Sequence, residues 1–491
     1  MLGRLLPGAC VLACFLGIGR CGIAQVIYSD GLTHTIPGDP DFTNGESITL
    51  ESASSLIIDA GADAQGTGVS GNQAATGGAA VAGTAGTSVI QNSGSATGGQ
   101  SSVAADSQTV TPMQSTGGAG MSISGSYTGS GGQLIGGYAF ADGAFGVSVQ
   151  SDFVTATGGA GLALSSGASA NLQGVSLTGG ESLAWTADIL VLGVGGAGLS
   201  LNDSGPVTIS SGTFTGGNGQ ANNFSLTSGD ATGRGGAAVD VRGSSNLTIN
   251  GGNFEGGAGD GIVTFLTTTA TGIGGAALKI TGPAHVTVNG GSFGSGAAGG
   301  GAVPPVDPIT TAEGAITVVG DSESGNLRLV VVDGLFRGLH ALQTLGTSPN
   351  ATDPRIDIYG GDLDTGNAYD ISLANPNITT RIHGSSFVLN GNPISLGAII
   401  ELNGTLAGIL ADDTPFEWTF ERSNSAPLLL AAVPEPGVCL LVGSLLPLLT
   451  VRRRVLRRSR QLAQVGESTY DLPGSLKVRT DPALIRRNMA S

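Results

Sequence analysis

The chain has 491 residues, 86 of them glycine, with 4% aromatic residues and a formal net charge of −16. Between Gln25 and Ala432 there are 32 Asp plus Glu against eight Lys plus Arg, and no Lys or Arg occurs from Gln25 to Gly233. A nucleic-acid ligand needs a basic track to displace counterions from its phosphates, so DNA and RNA are excluded as partners, whereas an acidic surface suits an exported protein that must stay soluble.

The first element in chain order is a leader over residues 1–24. Arg4 precedes an apolar stretch from Ala9 to Ile18, and Gly22-Ile23-Ala24 supplies small residues, which places signal cleavage between Ala24 and Gln25. Cys10, Cys14 and Cys21 fall inside this leader and Cys439 lies near the other end, so Gln25 to Ala432 contains no cysteine. That region can form no disulfide, no thiolate metal site and no cysteine nucleophile.

Residues 25–116 are rich in Gly, Ser and Thr. From Ala60 to Thr111 the large apolar side chains are few, among them Val81, Val89 and Ile90, which fits either thin, irregular coils or a flexible segment. Residues 117–325 carry a repeat. Gly158-Gly159-Ala160-Gly161-Leu162, Gly195-Gly196-Ala197-Gly198-Leu199, Gly235-Gly236-Ala237-Ala238-Val239 and Gly274-Gly275-Ala276-Ala277-Leu278 open similar units, with starts spaced by 37, 40 and 39 residues. Inside each unit apolar residues alternate with period two, as a half-buried strand requires, and Val207-Thr208-Ile209, Leu247-Thr248-Ile249 and Val286-Thr287-Val288 recur at matching places. Phe214, Phe254 and Phe293 recur after them, and Asn250 and Asn289 precede matching glycine pairs where their amides can bond to each other.

No long stretch has the 3.6-residue period of a helix, so small apolar faces of this kind are buried most simply by stacking. The expected fold is all-β, a right-handed parallel β-helix, with about two coils per repeat and with Asn218 to Gly233 and Gly261 to Gly272 leaving the coil as loops. Residues 326–432 read as fuller coils, with strands at Leu327 to Val332, Ile356 to Tyr359 and Ile399 to Leu402. A hairpin around Leu406 to Phe420, turning near Asp412-Asp413-Thr414-Pro415 and carrying Trp418, would cap the stack.

Most motif matches dissolve on inspection. Gly193-Val194-Gly195-Gly196-Ala197-Gly198 has the dinucleotide spacing but no helix after it, and Gly256-Gly257-Ala258-Gly259-Asp260-Gly261 puts glycine where a calcium-binding aspartate is needed. No cofactor follows. The densest polar group is Arg355, Asp357, Asp362, Asp364 and Asp370, with His383 downstream, read as turn aspartates beside a surface ion pair. His34, His285 and His340 read as lone turn or surface residues without metal-ligand spacing, so no catalytic or metal residue is assigned.

The C-terminal segment carries the strongest signal. Val433-Pro434-Glu435-Pro436 breaks any preceding helix, an apolar run from Val438 to Val451 follows, and then come Arg452, Arg453, Arg454, Arg457, Arg458 and Arg460. Fourteen residues give about 21 Å of helix against a hydrocarbon core of about 30 Å, short for a permanent anchor. The arginines would hold their end on the cytoplasmic side and leave everything before Pro434 outside. Residues 461–491 form a basic tail, either a cytoplasmic extension or a wrongly assigned end.

Residues 433–460 resemble the PEP-CTERM sorting signal of exported bacterial proteins. The resemblance implies recognition at Pro434, Glu435 and Pro436, orientation by Arg452, Arg453, Arg454, Arg457 and Arg458, and cleavage by a membrane protease of the exosortase type once the export machinery has delivered the chain. It also implies residence at the cell envelope, on the surface or outside the cell, after a stage of anchoring by the C-terminal helix, with extracellular polysaccharide as neighbour. The expected function is structural or adhesive, without enzymatic activity. The alternatives are a polysaccharide lyase or glycoside hydrolase on a scaffold resembling the pectin-lyase-like β-helices, and an autotransporter-like adhesin passenger.

Overall fold

The computed structural model describes residues 24–105, 112–143, 153–186, 190–224, 229–263, 269–302, 309–320, 326–346, 354–365 and 369–433. Every regular element among them is a β-strand. One coil serves for all. Leu162–Ser165, Ser169–Leu172, Val175–Thr178, Ser182–Thr186 and Leu190–Val194 follow one another around it, and Leu199–Asn202 then lies parallel to Leu162–Ser165 in the next coil. Successive coils repeat this, so five faces of parallel strands run along the stack. The first is aligned through Leu162, Leu199, Val239, Leu278 and Ile316. One repeat of about 39 residues therefore makes one coil of five strands, and the expectation of two coils per repeat is corrected. Short strands separated by bends at two- to four-residue intervals allow five directions in a length that sequence reading divided into two turns.

The five strands enclose two cores. Faces one to three surround Leu, Ile, Val, Phe and Tyr side chains from Tyr28 to Leu430. Faces four and five surround a narrower core of Ala75, Val103, Met113, Ala139, Ala141, Val154, Ala156, Ala184, Val191, Ala221, Ala231, Val263 and Ala270. The coil is pinched between these two lobes. The glycine pairs that open each repeat lie on one side of the pinch, between faces five and one; a second set of pairs lies opposite, between faces three and four.

The two sides interleave through backbone hydrogen bonds. Gly159 N donates to Gly137 O at 2.9 Å, Gly180 N to Gly159 O at 2.7 Å, Gly196 N to Gly180 O at 2.8 Å, Gly217 N to Gly196 O at 2.7 Å and Gly236 N to Gly217 O at 2.8 Å. Side chains have no room there: a Cβ on Gly196 would stand 2.0 Å from Gly159 O, and one on Gly217 would stand 2.0 Å from Gly180 O. This close approach of two backbones is the physical reason for the repeated glycine pairs. It also accounts for the apparent dinucleotide motif, whose Gly195 and Gly196 belong to this waist.

Much of the segments expected to be loops is strand of the second lobe, while residues 225–228 and 264–268 within them lie outside the described residues. Gly219–Asn223 and Asp230–Arg234 overlap 218–233, and Gly259–Val263 and Ala270–Gly274 overlap 261–272. They bury alanine and glycine, so they carry none of the large-residue alternation by which strands are recognised. Thin coils also account for Ala60 to Ala105, with strands such as Val81–Gly83, Ser88–Gln91 and Ser101–Ala104.

In the first lobe the expected phenylalanines form a column extended by Phe336. Phe214, Phe254, Phe293 and Phe336 stack with centroids 4.8, 4.6 and 5.0 Å apart. The corner before each is turned by a glycine with positive φ, as at Gly252 (128°) and Gly291 (121°). Asn289 donates its amide to Asn250 Oδ1 at 2.9 Å, as expected.

The second lobe ends with Ile309–Ala312. Beyond it a coil keeps three strands, such as Ile316–Val319, Arg328–Val331 and Leu335–Arg337, and is correspondingly shorter. Where the glycine ladder stops, Glu313 takes the place of a waist glycine, its N donating to Gly274 O at 2.9 Å. The far end is capped as expected by the antiparallel pair Asn403–Leu410 and Pro415–Arg422, which buries Trp418 and completes the first face by pairing Phe420 with Ile371. Ile399 to Leu402 is no strand, however; it bridges Gly397–Ala398 and Asn403–Leu410 and leaves Ile400 78% exposed.

Candidate functional site

Of the residues assigned to processing, Ala24 and Gln25 are described: Gln25 is exposed and opens the first strand, Gln25–Tyr28, paired in register with Ser47–Leu50. Pro434, Glu435, Pro436 and Arg452, Arg453, Arg454, Arg457 and Arg458 lie outside the described residues, as does the expected C-terminal helix. The described chain runs to Val433, just after the last strand, Leu428–Ala431. Next to it is an apolar groove of about 690 Å³ lined by Phe387, Val388, Pro393, Ile394, Leu396 and Val433, among others.

The polar group read from the sequence is partly assembled and partly dispersed. Arg355 and Asp357 alternate with Ile356 and Ile358 in one strand of the second face, so the apolar pair faces the core and the charged pair faces outward. Arg355 Nε lies 2.9 Å from Asp357 Oδ2, and His383 Nε2 lies 3.1 Å from Asp357 Oδ1. His383 Nδ1 faces Ala432 O at 3.4 Å, and the ring stacks on Tyr359 at 4.1 Å. These partners bury Asp357 to 3% exposure, so it is more than a surface ion pair.

Asp362 stays exposed on the third face, with Asp364 just beyond it. Asp370 is used structurally, accepting from Thr419 N at 2.7 Å, Thr419 Oγ1 at 2.9 Å and Thr365 Oγ1 at 2.7 Å.

Two members of the outward cluster were not read from the sequence. Arg328 pairs in register with Arg355 in the neighbouring strand, and Arg381 pairs with Asp357 in the next. The side chains of Arg328 and Arg381 donate no hydrogen bond and form no ion pair among the described residues. Burial and the Asp357 carboxylate raise the Tyr359 phenol pKa above its ordinary value, against the combined pull of Arg328, Arg355 and Arg381. The signal that could have found them is register: once coils of three strands are known, Arg328, Arg355 and Arg381 fall on consecutive rungs.

Two further charge clusters are structural. Glu313, almost fully buried, meets Lys279 Nζ at 2.9 Å and the guanidinium of Arg234. Burial opposes its charge, but the two cations hold its carboxyl below the usual carboxylate range. His34, expected to be a lone residue, is corrected to a packed one: its ring nitrogens lie 3.0 Å from both Asp30 Oδ1 and Asp39 Oδ2, and it stacks on Tyr28 at 3.8 Å. Burial alone would lower its pKa; the two carboxylates raise it. His340 bonds through Nδ1 to Tyr369 O at 3.0 Å. Among the described residues no three His, Cys, Asp or Glu side chains are placed to hold a metal ion.

No family model, no curated protein and no solved structure matches the chain.

Proposed function

We propose that this chain is an exported structural or adhesive protein of the cell surface or extracellular matrix, built as a right-handed parallel β-helix and sorted through Pro434, Glu435 and Pro436. The observation that carries the reading is the long outward side of the second face, where Ser126, Thr128, Ser169, Asn171, Thr208, Asn246, Thr248 and Thr287 present small polar groups coil after coil. Such a surface suits extended contact with a matrix, and right-handed connections are the rule for parallel strands. On this reading the leader and the C-terminal helix act in delivery, an exosortase-type protease removes the latter, and an extracellular polysaccharide is the neighbour.

The enzyme reading draws on Arg355, Asp357 and His383. Glycoside hydrolysis needs two carboxyl groups across a scissile bond, whereas among the described residues Asp357 is the one carboxylate of this outward cluster and both its oxygens are engaged. Display therefore accounts for the face better than glycoside hydrolysis.

The test is the C-terminus of the protein recovered from envelope and medium fractions of the native host, measured by mass spectrometry. Loss of everything after the Pro434 to Pro436 region is expected. Retention through Ser491 overturns the sorting pathway.

A further inference from the structure

Eight cationic side chains serve residues 25–432. Arg234 and Lys279 are bound to Glu313, Arg242 to Asp240, and Arg355 to Asp357, while Arg422 donates to the carbonyls of Ile400, Glu401 and Ala426. Of the remaining three, Arg337 lies on the third face, but Arg328 and Arg381 flank Arg355 on the second. In a strongly acidic molecule, three guanidinium groups thus occupy three consecutive strands of one outward face, spaced by rungs of about 4.8 Å. Asp357 balances one of them. Among the described residues the other two have no carboxylate partner, at a place where His383 and Tyr359 are locked against each other.

The neighbouring positions continue the same columns. In register below Arg328 stand His285 and then Asn246, both exposed, and the companion column passes from Asp357 through Val330 to Thr287, Thr248, Thr208 and Asn171. The outward surface is therefore a straight track along the coil axis, with hydroxyl, amide and imidazole groups over most of its length and cations at one end. Planar guanidinium groups bind carboxylate and sulfate oxygens through paired hydrogen bonds. A polymer with a charge on every unit, such as a nucleic acid, would find cations on only three rungs; a linear polyhydroxylated chain with a few oxoanions matches both parts of the track.

We propose that the second face is a binding track for a linear acidic glycan, whose oxoanions are held by Arg328, Arg355 and Arg381 and whose hydroxyls are met by Asn246, Thr248, His285 and Thr287. This names a partner for the display surface but does not depend on how the chain is sorted. The mass measurement at the C-terminus and the binding measurement therefore fail separately.

The experiment is a titration of the full chain, in detergent, with fluorescent dextran sulfate and carboxymethyl-dextran, and with unmodified dextran as the uncharged probe. The charged polymers are expected to bind and plain dextran to bind at least about tenfold more weakly. The double variant Arg328→Gln/Arg381→Gln should lose about tenfold in affinity for the charged probes while keeping the wild-type melting temperature, since neither side chain supports the fold. Which charged probe binds more tightly assigns the oxoanion as sulfate or carboxylate.

Variants with Arg452, Arg453 and Arg454 changed to Gln separate the track from the C-terminal arginines and should bind as the wild type does. Unchanged affinity in the Arg328/Arg381 variant, or loss confined to the C-terminal variant, overturns the proposal. So does displacement of the glycan probe by a single-stranded oligonucleotide at a lower concentration than by unlabelled dextran sulfate.

Discussion

The two lobes of each coil use the same backbone ladder and differ in what they bury. The first lobe holds a column of four stacked phenylalanines among Leu, Ile and Val, whereas the second is filled largely with alanine and a few Val and Met side chains. Burial of apolar area is worth about 25 cal/mol per Å², so per coil the second lobe gains much less from its core. The comparison teaches that the second lobe depends on the glycine waist. There, carbonyl and amide groups from opposite sides of the coil satisfy each other, and the thin lobe is joined to the thick one by backbone hydrogen bonds.

The largest effect should come from breaking that junction. Gly217→Ala would put a methyl group 2.0 Å from Gly180 O, backbone that cannot move without disturbing both neighbouring coils. A loss above about 4 kcal/mol is expected, read as failure to fold or a sharply lowered melting temperature. A melting temperature within a few degrees of wild type would show that the waist is looser than its geometry.

The contrast between the cores is sharpened by a matched pair. Phe254→Ala, in the middle of the column, should cost about 3–5 kcal/mol, and Met113→Ala in the second lobe about 2 kcal/mol, at the low end for such truncations. Denaturant unfolding measures both, and equal costs would mean that the lobes differ in composition but not in energetic weight.

Next comes the end of the waist. Glu313→Gln leaves Lys279 and the partly exposed Arg234 without their carboxylate and should cost about 2 kcal/mol, discounted for solvent at Arg234. Because the fold lowers the Glu313 pKa, its contribution is present above the ordinary value of 4.5 and is lost as pH falls through the folded value. The wild type should therefore lose its advantage over the variant on acidification, which melting curves taken below and above pH 4.5 will check.

The smallest effect belongs to the first coil. The fold raises the His34 pKa, so its contribution is complete below 6.5 and fades as pH rises through the raised value. Asp30 and Asp39 are lowered, so theirs is present above 3.8 and fades on acidification. Hydrogen exchange of Gln25 to Ile36, corrected for intrinsic rates, should be slowest between these limits, and His34→Gln should remove the alkaline limb.

Much of the first lobe was legible because its strands alternate large and small residues at a steady period. Phe214, Phe254 and Phe293, the Asn250–Asn289 contact and the Trp418 hairpin all fell where periodicity and turn chemistry placed them. The second lobe was not, since alanine and glycine strands give no alternation to count. The charged cluster was legible in part. Arg355, Asp357 and His383 come together, whereas Asp362, Asp364 and Asp370 separate because the corner at Gly360-Gly361 sends the chain onto the third face. Arg328 and Arg381 escaped notice because coil length changes once the second lobe ends, and with it the register that aligns them with Arg355.

The sequence by itself determined that the chain stacks short strands at a repeat of about 39 residues and that its long central region is acidic and free of cysteine. These follow from periodicity, composition and local turn chemistry, which act over a few residues at a time. Only the tertiary structure decided that one repeat is one five-stranded coil, that its glycine pairs lock two lobes together, and that three arginines from distant segments share a face. Those depend on which backbone lies beside which, a matter of register between coils that no single stretch of residues contains.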